Sequence, residues 1–408
     1  MNSRSEFAPD SQASWLRLSI GMAIAILGNA GMWSVVVVLP AVQQEFGVDR
    51  AAASFPYSST MLGFALGNVL AGKAVDRWGL SMPMALSGGV LGAGYLLAST
   101  STSIWQFALT QGLLIGLSAS IFFGPFLADI SHYFQKRRGI AVALAASSNY
   151  WAGALWPFYI EPILREASWR DAYWNMGLIC CGVIVPTTWF LRQGTEQRQA
   201  QASAKAQYLH PASTEWTSGQ VQLLLIVAGV ACCVAMSMPQ VHVVALCADL
   251  GYGVAVGTEM LSLMLSCGIL SRLLSGMLAD RVGGVRTLLL GSCLQCLALL
   301  FYLPTEGLTS LYLVSALFGL SQGGIIPSYT LIIREYLPAR EAGARVGLVV
   351  MATILGMALG GWLSGKIFDW TGSYQAAFLN GIGWNLINIT LIGFLLLRSS
   401  RNQPVPAR

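Results

Sequence analysis

Arg272 stands well inside the apolar stretch 257–279, and no other Lys or Arg of the chain lies so far from the ends of such a stretch. It precedes Asp280 by eight residues, which on a helix rising about 1.5 Å per residue puts it about 12 Å inward from that carboxylate. No Asp or Glu lies at a comparable depth to neutralise it. A charge held in hydrocarbon is costly and usually faces a cavity or finds a partner. A guanidinium facing water offers a planar two-pronged donor that matches a carboxylate, so the chemistry suggested is recognition of an anion. Pairing with backbone carbonyls, or a reach towards the headgroups, is the structural alternative.

Asn29, Trp33, Tyr57, Asn149, Tyr150, Trp151, Gln322 and Tyr329 also lie inside apolar runs. A polar group away from water needs a partner, and a bound solute is one such partner. Packing, an aromatic belt and hydrogen bonds between helices are the others. His242, three residues after Pro239, titrates in the range of a proton carrier and is the candidate for proton coupling, against a structural role near a helix end. Asp129 and Glu161 lie at helix ends and read as capping or solvated groups. Eight cysteines fall in or at the ends of apolar runs, and the Cys293/Cys296 pair has no second ligand pair beside it. They are expected to pack, with no metal and no cofactor. The stretch Gly67–Ala74 approaches a phosphate-binding loop, but Ala74 lacks the hydroxyl that such a loop needs, and no strand precedes it. No nucleophile constellation is present, so an enzyme is not expected.

The elements that must position these residues follow from composition. Of 408 residues, 55% are hydrophobic and 10% charged, against roughly 25% charged in a soluble domain. Too few charges remain for a water-facing shell, so lipid must be the solvent. A helix crossing about 30 Å of hydrocarbon takes about 20 apolar residues. Such runs lie at 18–40, 54–75, 81–99, 104–128, 139–163, 172–192, 219–246, 257–279, 286–303, 309–333, 343–365 and 374–397. Placing the N-terminus inside leaves only Arg50, Arg165, Arg170 and Lys366 of the 23 basic residues in outer segments, with Arg272 inside a span. Basic residues collect on the cytoplasmic side, so both termini are expected there, in a bacterial inner (plasma) membrane. The basic residues form no patch that would suit nucleic acid. A polar stretch at 193–218 reads as a linker between an N-terminal bundle at 18–192 and a C-terminal bundle at 219–397, flanked by tails at 1–17 and 398–408.

The chain also repeats itself. Gly72, Asp76, Arg77 and Gly79 spell GxxxDRxG after the second span, and Gly276, Asp280, Arg281 and Gly283 spell it again after the eighth. The interval from Gly72 to Gly276 recurs from Gly139 to Gly343, and an interval one residue longer joins Ser168 to Ser373. Shared register of this kind points to duplication. In the motif, the first Gly is expected to let two helices approach and the last to free the backbone for a sharp turn. The Asp and Arg then lie at the membrane surface as a latch for one conformation.

With this paired motif the chain resembles the major facilitator superfamily over roughly 15–398. The resemblance implies an all-α membrane protein of twelve transmembrane helices in two pseudo-symmetric bundles, with a substrate cavity between them and alternating access. Leu270-Ser271-Arg272-Leu273-Leu274-Ser275-Gly276 is similar to the eighth helix of monocarboxylate transporters and oxalate/formate antiporters, in which the Arg four residues before the Gly binds a carboxylate. Leu39–Gly47, Asp249–Tyr252 and Ile333–Pro338 agree with that group. Two departures matter. No Lys stands mid-membrane in the eleventh span, which favours one carboxylate over two. The animal carriers have an Asp one turn before the Arg and a Lys in the first helix, whereas this chain has Gly268 and no such Lys, so their proton relay does not carry over.

The expected function is secondary transport of small organic anions, monocarboxylates first, by proton symport or anion exchange, in a monomer. A drug or other small-solute/proton antiporter is the alternative, although Ala152–Phe158 replaces the GPxxGG stretch of such exporters. A transporter-like ligand sensor is the second alternative.

Overall fold

The computed structural model describes residues 10–191, 217–304, 307–337 and 342–400. Twelve long helical segments account for nearly all of them: α1 Gln12–Phe46, α2 Arg50–Trp78, α3 Ser81–Ser99, α4 Ile104–Tyr133, α5 Arg138–Glu166, α6 Trp169–Leu191, α7 Ser218–Asp249, α8 Gly253–Val282, α9 Gly284–Tyr302, α10 Leu308–Tyr336, α11 Ala342–Thr371 and α12 Tyr374–Ser400. Ten of these are long and apolar enough to cross a membrane. The other two, α2 and α5, have 29 residues each but carry polar side chains and internal prolines, Pro56 in one and Pro157 and Pro162 in the other. Their polarity has a physical reason. Across the middle of the molecule α2 packs on α11 and α5 on α8, so each turns one face to protein.

The same pairings recur on the two sides of that interface. α1 packs on α5 as α7 does on α11, α2 on α4 as α8 does on α10, and α3 on α6 as α9 does on α12. Small residues make the second pairing possible. A Cβ on Gly63 or Gly116 would collide with backbone carbonyls of the facing helix, and so would one on Gly319 or Gly323. Glycines spaced four apart thus let α2 meet α4, and α8 meet α10, backbone to backbone.

Several helices are irregular. α1 breaks at Asn29, α4 passes through a π turn at Gln111–Gly116 and bends at Phe123, and α10 is interrupted at Gly323 and Gly324. Hydrogen bonds between elements define two faces. On the face holding Asp10, that carboxylate accepts the backbone N–H groups of Gln135, Lys136 and Arg137 at 3.0–3.1 Å, the Lys136 bond foremost, which holds it below the usual carboxylate range. Nearby Arg17 pairs with Asp129 at 3.0 Å. Asp129 is therefore an ion-pair partner rather than the solvated or capping group expected. On the opposite face Glu45 of α1 pairs with Arg170 of α6 at 2.6 Å.

The duplicated motif differs from expectation. Gly72, Asp76 and Arg77 remain inside α2, and Gly276, Asp280 and Arg281 inside α8; only Gly79 and Gly283 leave the helix, at φ 71° and 83°. A Cβ on Gly72 or Gly276 would meet nothing within 4 Å. Neither glycine serves a close approach here. Arg77, Asp280 and Arg281 are exposed and form no ion pair among the described residues, while the Asp76 side chain lies outside them.

Candidate functional site

A groove of about 140 Å³ runs between α8 and α10 on the Asp10 face. One wall is Arg272, Ser275, Gly276, Ala279 and Asp280, and the other is Gly324, Pro327, Ser328 and Leu331. Spacings of three and four residues put each set on one helix face. Arg272 lies at the inner end and Asp280 near the mouth.

Arg272 is 5% exposed and is held from two sides. Its Nε donates to the carbonyl of Gly323 at 3.2 Å, and its Nη1 donates to the carbonyl of Ala146 on α5 at 2.6 Å. The first acceptor is available for a reason written in the sequence. In an unbroken helix the Gly323 carbonyl would accept from residue 327, but Pro327 has no N–H. Gly323 and Gly324 also lack the Cβ atoms that would strike Gly268, Arg272 and Ser275, so α10 presses directly on α8 at this level. Beneath the guanidinium lies the Tyr150 ring, its centroid 4.3 Å away, a cation–π contact worth about 2 kcal/mol when desolvated. No carboxylate pairs with Arg272 among the described residues. Two of the five N–H groups of a guanidinium are thus held by carbonyls, and the charge itself is unneutralised.

Tyr150 and Gln322 both border Gly268, one turn along α8 from Arg272. Gln322 accepts from the amide of Gln240 on α7 at 2.5 Å. Trp33 of α1 donates to both the side-chain and backbone oxygens of Asn149, at 2.9 and 3.0 Å, and its ring borders Gly153. Trp33, Asn149, Tyr150 and Gln322 therefore converge with Arg272 around the interface of the two halves. Other candidates fall elsewhere. Asn29 donates to the carbonyls of Ala25 and Phe122, at the break in α1 and within the first half. Tyr329 donates to Asn388 at 2.8 Å, in a network with Ser292 and α12. Trp151 is 39% exposed, on a stripe with Leu155 and Phe158. It follows Tyr150 in sequence, but about 100° of helical rotation turns it away from the site.

Tyr57 and His242 lie nearer the face opposite Asp10. The Tyr57 ring packs on Gly361, and the carbonyl of Gly361 bonds His242 Nε2 at 2.9 Å. The Tyr57 hydroxyl and His242 Nδ1 are buried without a partner. Between them and the surface is a feature that sequence reading missed, because it placed Arg50 in a loop. Arg50 is the first residue of α2, 6% exposed. Its Nη2 reaches both oxygens of Asp249 at 2.9 and 3.2 Å, and its Nη1 meets the Tyr374 hydroxyl at 2.5 Å. Asp369 accepts the backbone N–H groups of Arg50 and Ala51, each at 2.8 Å, where a helix N-terminus favours a negative charge. The start of α2 is thus clamped by the ends of α7 and α11 and the start of α12. Asp49 capping Ala52 was the available signal, since Asp before a helical run marks an N-terminus. The clamp closes one face, whereas at the Asp10 face the groove leads to exposed Asp280 and no described ion pair joins the halves.

Comparisons with known proteins agree with this architecture. The sequence profile of the Major Facilitator Superfamily matches residues 18–308 and 223–408. The chain is similar to Monocarboxylate transporter 13 of Rattus norvegicus, 28% identical over 91% of this chain and 86% of that protein. It is similar to Monocarboxylate transporter 13 of Bos taurus at 30% identity over 80% and 75%. It is 24% identical to the MFS-type transporter YhjX of Escherichia coli (strain K12) over 84% and 85%.

Proposed function

The chain belongs to the Major Facilitator Superfamily, a family of membrane transporters rather than enzymes, and from that premise we propose that it carries small organic anions, monocarboxylates foremost, by alternating access. The observation that carries this reading is Arg272: buried, fixed by two carbonyls and an aromatic face, and without a carboxylate partner among the described residues. The carboxylate of the solute supplies the missing negative charge, using the donors that the protein leaves free. A single central cation suits a solute with one carboxylate, in keeping with the names of the mammalian relatives. Trp33, Asn149, Tyr150 and Gln322 form the surrounding wall, with Tyr57 above it.

All twelve helices cross the bilayer as two six-helix bundles, 18–192 and 219–397, joined by a cytoplasmic linker at 193–218. Both termini face the cytoplasm of a bacterial cell, and the protein acts as a monomer. In the conformation described, the outer face is held shut at Arg50 and the α8/α10 groove opens inward. In the converse state Asp76, Arg77, Asp280 and Arg281 latch the cytoplasmic face. Transport is coupled to protons or to a counter-anion, with His242 as the proton site. Counterflow in proteoliposomes with labelled monocarboxylates, dicarboxylates and neutral solutes tests the reading: exchange is expected for monocarboxylates and lost in Arg272→Lys. Preference for neutral solutes defeats it.

A further inference from the structure

His242 is fully buried in α7 and makes one hydrogen bond, from Nε2 to the carbonyl of Gly361 on α11 at 2.9 Å. A carbonyl only accepts, so Nε2 carries the hydrogen and Nδ1 is left as a bare lone pair. No group meets that atom. The imidazole also lies directly behind the outer clamp. Its ring centroid is 6.1 Å from that of Tyr374, whose hydroxyl touches both Arg50 and Asp249. The Arg50 guanidinium lies 5.8 Å from the same tyrosine ring, within electrostatic reach of the imidazole.

The other charges at this level are already engaged. Asp249, about two turns along α7, is taken by Arg50 and Tyr374. On α11, Asp369 is taken by the backbone N–H groups that open α2, and Lys366 lies over the Trp370 ring. Glu45 of α1 pairs with Arg170, and Glu259 of α8 accepts from Tyr312. The charges of α10, Arg334 and Glu335, stand at its opposite end. Besides Arg50, α2 presents the Tyr57 phenol, which is neutral and without a partner. Among the described residues, no carboxylate is left to meet a positive imidazole while the clamp is closed.

We propose that a proton taken at His242 Nδ1 releases the outer clamp, so that acid on the clamped side opens that face. This rests on the reading of His242 as the proton site. The proton comes from water on that side and forms one N–H bond at Nδ1, while the Nε2–H bond to Gly361 is kept. The imidazolium is then a second positive charge behind Arg50, across the Tyr374 ring, with no anion to balance it. Like charges in a dry interior repel far more than in water, and opening relieves the repulsion by letting water reach both. Closure returns the proton to water. The device is a gate at the outer face, separate from the anion site at Arg272.

The test reads the outer face through Ser364→Cys in proteoliposomes, a buried position on α11 below the clamp. A membrane-impermeant maleimide is added from the clamped side, and the chain without Ser364→Cys gives the background. An imidazole in water titrates near about 6.5. With the proton held by the open form alone, the ratio of open to closed states rises about tenfold from about pH 7.5 to about pH 5.5. Thiol chemistry itself varies with pH, so each rate is divided by that of the same reporter in His242→Gln, whose amide keeps a donor for Gly361 and takes no proton. The quotient is expected to rise about tenfold over that range. Where His242→Gln does not fold, Arg50→Gln, which removes the charge that the imidazolium opposes, supplies the divisor with the same expectation. A quotient that stays level overturns the proposal. Protons taken up per butyrate, read by a dye trapped in the lumen, then show what else has failed. If that number falls in His242→Gln, the proton site stands and the gate alone is wrong; if it is unchanged, both are.

Discussion

Replacing Arg50 by Gln removes the charged part of the clamp and leaves the Asp369 bonds to the backbone of α2 in place. The two-pronged contact with Asp249 is lost, as is the bond to Tyr374. Asp249 is 39% exposed, so water screens the ion pair and its share is no more than about 1 kcal/mol. The bond from a buried guanidinium to Tyr374 contributes about 1.5 kcal/mol more, at the low end for a charged partner. After allowance for new solvation of the freed carboxylate, closure is weakened by about 2 kcal/mol, which is about a 30-fold shift in the ratio of closed to open states. Ser364, 1% exposed and about one and a half turns deeper on α11 than Asp369, reports the change once converted by Ser364→Cys. A membrane-impermeant maleimide added from the clamped side is expected to modify that cysteine about 30 times faster in Arg50→Gln than in the parent. The chain without Ser364→Cys supplies the background of its own thiols. An unchanged rate would mean that the clamp does not hold this face closed.

Other outcomes are open to measurement. A Cβ at Gly268 lies 3.2 Å from the Tyr150 ring and 3.6 Å from Gln322 Nε2, so Gly268→Asp places a carboxylate one turn from Arg272. Competition for the guanidinium is expected to raise the half-saturating concentration of butyrate by about tenfold or more at neutral pH; an unaltered value would place the anion elsewhere. The carboxyl of Asp10 is held below its ordinary value by the backbone N–H groups that it accepts, so its support for the 135–137 turn is full above that ordinary value and fades as pH falls through the lower, folded one. Asp10→Ala should therefore speed amide exchange at Gln135, Lys136 and Arg137 at neutral pH. Equal protection in both proteins there would show that the carboxylate does not hold the turn.

Much of this molecule is written in its amino-acid order, and what escaped did so for physical reasons. Arg272 was legible because a lone cation in an apolar run has few explanations, and Pro327 explains after the fact why a carbonyl waits for it. Hydropathy starts the second helix at residue 54 rather than Arg50, because it undervalues a polar first turn that packs on protein, and so leaves that turn in a loop. That error hid Arg50, although Asp49 marked the true start. Tyr150 and Trp151 could not be separated by type, only by the angle between successive residues on a helix. The Gln240–Gln322 pair joins residues distant in sequence, and no local pattern announces it. The duplicated motif announced itself as a pattern, but its glycines Gly72 and Gly276 face open space in this conformation.

One unneutralised guanidinium is proposed to select the anion. Calorimetric titration of the purified protein with butyrate and with butyramide, a neutral molecule of nearly the same shape, addresses it directly. In the wild type, butyrate is expected to bind about a hundredfold more tightly, because two charge-assisted bonds are at stake. In Arg272→Gln that gap should close. Equal affinities in the wild type, or a preference for butyrate that survives in Arg272→Gln, would contradict it.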